Sequence, residues 1–176
     1  MPHFEDIYDH AVAHYGLVTT EEAGKMGVHR KELLRWVASG RLEKCGRGVY
    51  RITHYVPTEL DRYAEAVALV GPGSAIQGEC VLAMHDLALV NPAQMTVATR
   101  RRVRRTLPRW IHVVRMKPDM PLNEFDGIPC QALADAIREC RGTVMDERLA
   151  EAVREATRKG LLTLSEASQL EKEFPS

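Results

Sequence analysis

The chain is short of aromatic residues, has no long hydrophobic run and carries no formal net charge. Its four cysteines, Cys45, Cys80, Cys130 and Cys140, form no C-x-x-C pair. No zinc finger or disulfide framework is therefore implied, and isolated thiols in a reducing compartment usually behave as small core hydrophobes. The longest apolar stretches, among them 66–70, are far below the roughly 20 residues of a membrane span. Met1 is followed by Pro2, His3 and acids, not by a basic signal-peptide head, so the expected location is cytoplasmic. A net charge of zero argues against a protein that coats nucleic acid indiscriminately. What remains is an ordinary globular composition, 45% apolar and 27% charged. At this length folding buries roughly 70% of the unfolded surface, enough for one domain or two small lobes.

The neutral total hides an uneven distribution. Residues 1–24 hold five acids and no lysine or arginine. Residues 25–54 hold Lys25, Arg30, Lys31, Arg35, Arg41, Lys44, Arg47 and Arg51 against Glu32 and Glu43. A second block, Arg100, Arg101, Arg102, Arg104, Arg105, Arg109, Arg115 and Lys117, lies in a stretch without acids between Asp86 and Asp119. Two positive patches on a neutral chain are the footprint of local phosphate contact.

Phe4, Ile7, Tyr8, Ala11 and Tyr15 recur at helical spacing, so 4–15 reads as an amphipathic helix stopped by Gly16. Leu17 and Val18 make a short extended link. Thr19 and Glu22 have capping-box spacing and start a second helix, which Gly27 interrupts. A third helix is expected over 30–39, ended by Gly40, with Leu33 and Val37 inward and Leu34 and Trp36 beside them. Two short helices about a glycine turn make a helix-turn-helix, with Ala23 at the crossing and Met26, Val28, Leu33 and Trp36 as core positions. Glu22 stands in a slot that is usually apolar.

Opposite Leu33 and Val37, the third helix presents Lys31, Arg35 and Ser39. Residues 42–45 and 49–52 flank Gly46-Arg47-Gly48, a hairpin signal with Arg47 at the tip. A basic hairpin directly after such a helix reads as a wing. The candidate DNA-binding set is His29, Arg30, Lys31, Arg35, Ser39, Lys44, Arg47 and Arg51.

The run GLVTTEEAGKMGVHRKELLRWVASGRLEKCGRGVYRI, residues 16–52, resembles the N-terminal domain of AbiEi-type antitoxins of type IV toxin-antitoxin systems. There a G-x-V-T-x-x-E/Q-A start leads to G-x-L-x-x-V-x-R-G-V-Y. The likeness continues through GSAIQGECVLAMHDLALV and FDGIPCQALADAI, although the polar loop usual after Gly127-Ile128-Pro129 is shortened. The resemblance implies a winged-helix repressor of its own promoter. It also implies opposition to a nucleotidyltransferase-like toxin without stable contact between the two proteins, and no enzyme activity.

Overall we expect an α+β protein, with a winged helix-turn-helix over 1–54 and a mixed α/β, antitoxin-like lobe over 55–176. In the lobe, Thr58 is expected to cap a helix bearing Leu60, Tyr63, Ala64 and Val67. Ser74 and Gln77 are expected to cap a largely apolar helix through Leu87. Residues 95–97 and 110–114 read as strands, Asp126-Gly127 as a turn, 146–159 as an amphipathic helix, and Thr163 with Glu166 as the cap of a last one. Arg100, Arg101, Arg102, Arg104 and Arg105 fall in the strand connection. They read as a solvated loop, as a second backbone contact with DNA, or as a surface for an acidic protein.

Three enzyme or metal readings are weaker. A nuclease needs acids gathered with a nearby Lys or Glu, and no E-x-K follows an acidic strand. A nucleotidyltransferase has only Gly73-Ser74 in its favour, without the D-x-D or D-x-E that binds magnesium. His10 and His14 stand at i, i+4 but lack an obvious third ligand. No cofactor is expected. The expected partner is double-stranded DNA, an inverted repeat in the chain's own promoter, with the toxin as functional partner. A solitary regulator whose second lobe binds a ligand or dimerises is the alternative.

Overall fold

The computed structural model describes residues 3–175 and divides into two units. One runs through Pro72 and takes in Val103–Leu107; the other comprises Gly73–Arg102 and the residues from Pro108 onward. The architecture is α+β.

The first unit begins with α1 (Phe4–Val12), whose first turn is closed by the His3 amide donating to Asp6 Oδ2 at 2.9 Å. The helix stops at Val12, short of the expected Tyr15, because Tyr15 and Gly16 adopt left-handed φ values of 58° and 72°. β1 (Leu17–Thr19) leads into α2 (Thr20–Lys25) through the predicted cap. Thr19 Oγ1 accepts from the Glu22 amide at 3.1 Å, and Glu22 Oε2 accepts from the Thr19 amide at 2.7 Å. Gly27, at φ 78°, turns the chain toward α3 (Arg30–Ala38), a conformation glycine adopts without steric cost.

β2 (Leu42–Gly46) and β3 (Val49–Ile52) form the hairpin, and β3 also pairs with β1, giving an antiparallel sheet of order β1-β3-β2. Ile7, Ala11, Val18, Ala23, Val28, Leu33, Leu42, Tyr50 and Ile52 make one core, with Met26 and Trp36 against it. Three helices and a three-stranded sheet around this core are a winged helix-turn-helix.

The unit continues past residue 54 into α4 (Asp61–Val70). The expected cap at Thr58 is replaced by a different device: Thr58 Oγ1 and Tyr55 Oη both donate to Asp61 Oδ1, at 2.7 and 3.2 Å. Starting at Asp61 rotates the buried face to Ala66, Leu69 and Val70, leaving Leu60, Tyr63, Ala64 and Val67 half-buried. Leu69 covers Gly46, where any Cβ would collide with its side chain. Arg51 pairs with Glu65 at 3.1 Å. Packing and charge thus tie α4 to the hairpin.

The second unit is built on a five-stranded mixed sheet, β4 (Ala75–Ile76), β5 (Met95–Thr99), β6 (Ile111–Arg115), β7 (Leu122–Phe125) and β8 (Ile128–Gln131), in the order β6-β5-β4-β8-β7. β4 pairs antiparallel with β5 and parallel with β8, β5 and β6 are parallel, and β7 and β8 form a hairpin. The hairpin turns at Asp126-Gly127, with φ 46° and 81°, the two left-handed residues a tight turn requires.

Here Ser74 and Gln77 do not cap a helix. Ala75 and Ile76 between them are a central strand, and α5 (Glu79–Met84) begins only after Gly78. Gln77 turns to Glu139, donating from Nε2 to Oε1 at 2.5 Å, while Gln131 donates to Glu139 Oε2 at 2.7 Å and accepts from the Gly78 amide at 2.9 Å. Three helices complete the unit: α6 (Leu133–Glu139), α7 (Asp146–Arg158) and α8 (Leu164–Glu173). Thr163 and Glu166 cap α8 reciprocally, as the spacing predicts. Among the described residues no helix is long and apolar enough to cross a membrane.

Candidate nucleic-acid interface

The surface of interest is set by what α3 buries. Leu33 is fully buried, with Trp36 and Val37 partly so, which fixes the rotation of the helix. His29, the N-cap residue, and Arg30, Lys31, Leu34, Arg35, Ala38 and Ser39 are left exposed. At 100° per residue, Lys31, Leu34, Arg35 and Ala38 fall within an arc of about 100°. This corrects one expectation: Leu34 does not flank the core but stands 42% exposed, while Leu33 beside it is at 0%. Ser39 Oγ donates to the Trp36 carbonyl at 3.1 Å, so its own proton is committed to closing the helix. The single acid of α3, Glu32, is half-buried.

The wing is short. A register shift between Lys44 and Gly46 places Cys45 as the extra residue, and Arg47-Gly48 turn the hairpin. Gly48, at φ 74°, offers its carbonyl to the Thr20 amide at 2.9 Å and to Thr20 Oγ1 at 3.4 Å. The turn is thereby anchored to the start of α2, and Lys44 and Arg47 are exposed on it. Burial pushes the Cys45 thiol up to about 11, so it remains protonated at neutral pH and is neither a nucleophile nor a ready metal ligand.

Arg51 departs from the predicted set. Its guanidinium is mostly buried and paired with Glu65, so β3 spends this charge inside the unit instead of presenting it. The second basic run divides similarly. Arg105 donates to the Arg47 carbonyl and to the Val70 carbonyl, both at 3.4 Å, within the first unit. In the second unit Arg100 donates to the Pro118 carbonyl at 2.7 Å. Arg101, Arg102 and Arg104 are exposed.

His10 on α1 and His14 in the turn after it have a structural use. Their rings stack at 4.1 Å, and His14 Nδ1 lies 2.6 Å from the His10 carbonyl. His10 Nε2 faces Glu22 Oε2 at 3.7 Å. That contact and the cap explain why a carboxylate occupies a slot usually filled by an apolar side chain. Among the described residues no group of three or more metal-ligating side chains gathers at one point.

Comparison with known families agrees with this geometry. Residues 5–53 match the family described as transcriptional regulator, AbiEi antitoxin. The matched segment runs from the first turn of α1 through β3, and so holds the helix-turn-helix and the wing together. No curated protein matches the chain.

Proposed function

We propose that the first unit binds double-stranded DNA sequence-specifically, with α3 in the major groove and Arg47 of the wing at the backbone or a narrow minor groove. The observation that carries this reading is the exposed arc of α3. Lys31 and Arg35 project from a helix held by Leu33, with no exposed acid on that helix. His29, Arg30, Lys44 and Arg47 extend the basic surface, while Ser39 stands at its end. Arg51 and Arg105 lie outside the proposed contact set because their guanidinium groups are engaged elsewhere.

The match to antitoxin regulators supports the wider proposal. The chain acts in the cytoplasm as an autorepressor and as the antitoxin of a type IV system, opposing a nucleotidyltransferase-like toxin. Binding, not catalysis, is its activity. Its operator is an inverted repeat upstream of its own gene, since helix-turn-helix repressors pair two half-sites about one helical turn apart. Footprinting the full chain on that upstream segment tests the reading: two protected half-sites are expected, and uniform protection or none would refute it.

The family match ends at residue 53, which leaves one competing reading, a solitary regulator whose second unit senses a ligand or dimerises. The neighbouring reading frame separates the two. An adjacent co-directional gene encoding a G-S and D-x-D pattern, whose product arrests growth unless this chain is co-expressed, is the outcome expected for an antitoxin.

A further inference from the structure

We infer that Leu34 is a specificity-determining residue that reads the C5-methyl group of a thymine in the bound DNA. This inference rests on the proposal that α3 enters the major groove. A single exposed leucine is ordinary on a protein surface. Leu34 differs because of its setting. It follows Lys31 by three positions, adjoins Arg35 and precedes Ala38 by four, so it shares the exposed face with two cations and a small side chain that leaves room beside it.

The alternative of folding Leu34 into the core is closed by its neighbour. Leu33 already occupies that direction at 0% exposure, and the next position lies 100° around the helix. When Lys31 and Arg35 engage phosphates or guanine edges, Leu34, at the edge of the same exposed arc and about 60° around the helix from Lys31, meets the base edges on one side of them. Among the groups that base pairs expose there, the thymine methyl is the apolar one, and a leucine is its natural partner. Against a polar base edge the same leucine would be desolvated opposite a group left without a hydrogen bond, which disfavours that sequence. Leu34 therefore both attracts a thymine and discriminates against its replacement. An acidic protein surface is a less suitable occupant, since it would meet the cations but offer nothing to the isobutyl group.

The test uses the full chain and a duplex that the wild type selects from a random pool. Each thymine of that duplex is replaced in turn by deoxyuridine, which removes the methyl and nothing else. The wild type should bind about fivefold more weakly when one or two particular methyls are removed, the scale of one buried methyl contact. Leu34→Ala should bind the parent duplex about fivefold more weakly and be indifferent to those same replacements, while Leu34→Met should stay close to wild type. If no thymine position is sensitive in the wild type, or Leu34→Ala keeps the wild-type sensitivity at every position, the inference is overturned. In that case selection of a duplex and its loss in Arg35→Ala would leave DNA binding itself standing. If the wild type selects no duplex over random sequence, the DNA-binding proposal and this inference fall together.

Discussion

Leu33 and Leu34 are chemically identical neighbours with opposite surroundings, and the difference follows from helical geometry. Truncating Leu33 removes atoms from a filled core and should cost about 2–5 kcal/mol in urea unfolding. Truncating the exposed Leu34 should cost less than about 1 kcal/mol. Equal losses would mean that α3 is rotated differently. The cations are expected to separate as well. Lys31→Ala and Arg35→Ala should each cost about 1–3 kcal/mol of binding and relax discrimination at one base position. Arg47→Ala should weaken binding to many sequences and flatten the salt dependence by about one unit, as a phosphate contact does. Uniform losses on every sequence for all three variants, measured by anisotropy across a salt series, would remove the distinction between helix and wing. At this scale the sequence revealed the periodicity of α3 but not the fate of Arg51 or Arg105. Their partners, Glu65 and the carbonyls of Arg47 and Val70, are distant in the chain and come together only through folding.

Elements whose boundaries depend on local chemistry were legible. The Thr19-Glu22 and Thr163-Glu166 boxes each join residues three apart, and both form. Thr19→Ala and Thr163→Ala should each lower stability by about 1 kcal/mol, measured by urea denaturation. Ser74 and Gln77 have the same spacing, yet β4 lies between them. Its pairing with β5 and β8 involves residues far along the chain and overrides the local signal. The element after α5 also carries a pH dependence. Burial and nearby Lys159 lower the pKa of His85, with Asp126 opposing, and its ring lies 4.2 Å from that of Phe125. Its Nδ1 is buried and, among the described residues, has no hydrogen-bond partner. The unfolded chain therefore binds this proton more readily than the folded one, and stability present at neutral pH declines as pH falls below the usual 6.5. His85→Gln should lose less stability than wild type between about pH 7.5 and 5.5, in urea midpoints. Parallel losses in the two proteins would show that this imidazole does not carry the effect.

For the whole molecule, the α+β class was visible in the sequence. The edge of the first unit was not. The hairpin ends at Ile52, but Leu69 over Gly46 and the Arg51–Glu65 pair carry the compact unit on to Pro72. We propose a division of labour in which DNA binding belongs to the first unit and protection from the toxin to the second. Lys31→Glu with Arg35→Glu should abolish repression while leaving folding intact, because exposed substitutions usually change stability by less than about 0.5 kcal/mol. Protection from the toxin should persist in a growth assay at matched protein levels, whereas replacing Arg100, Arg101 and Arg102 with serine should reduce it. Loss of protection in the charge-reversed variant would show that protection runs through the winged helix. The central claim is sequence-specific DNA binding, and its most direct measurement is the affinity of the full chain for its own upstream segment relative to random duplex of equal length, at about 0.15 M salt. The proposal predicts a preference of at least about 10³-fold, and equal affinity for the two duplexes would contradict it.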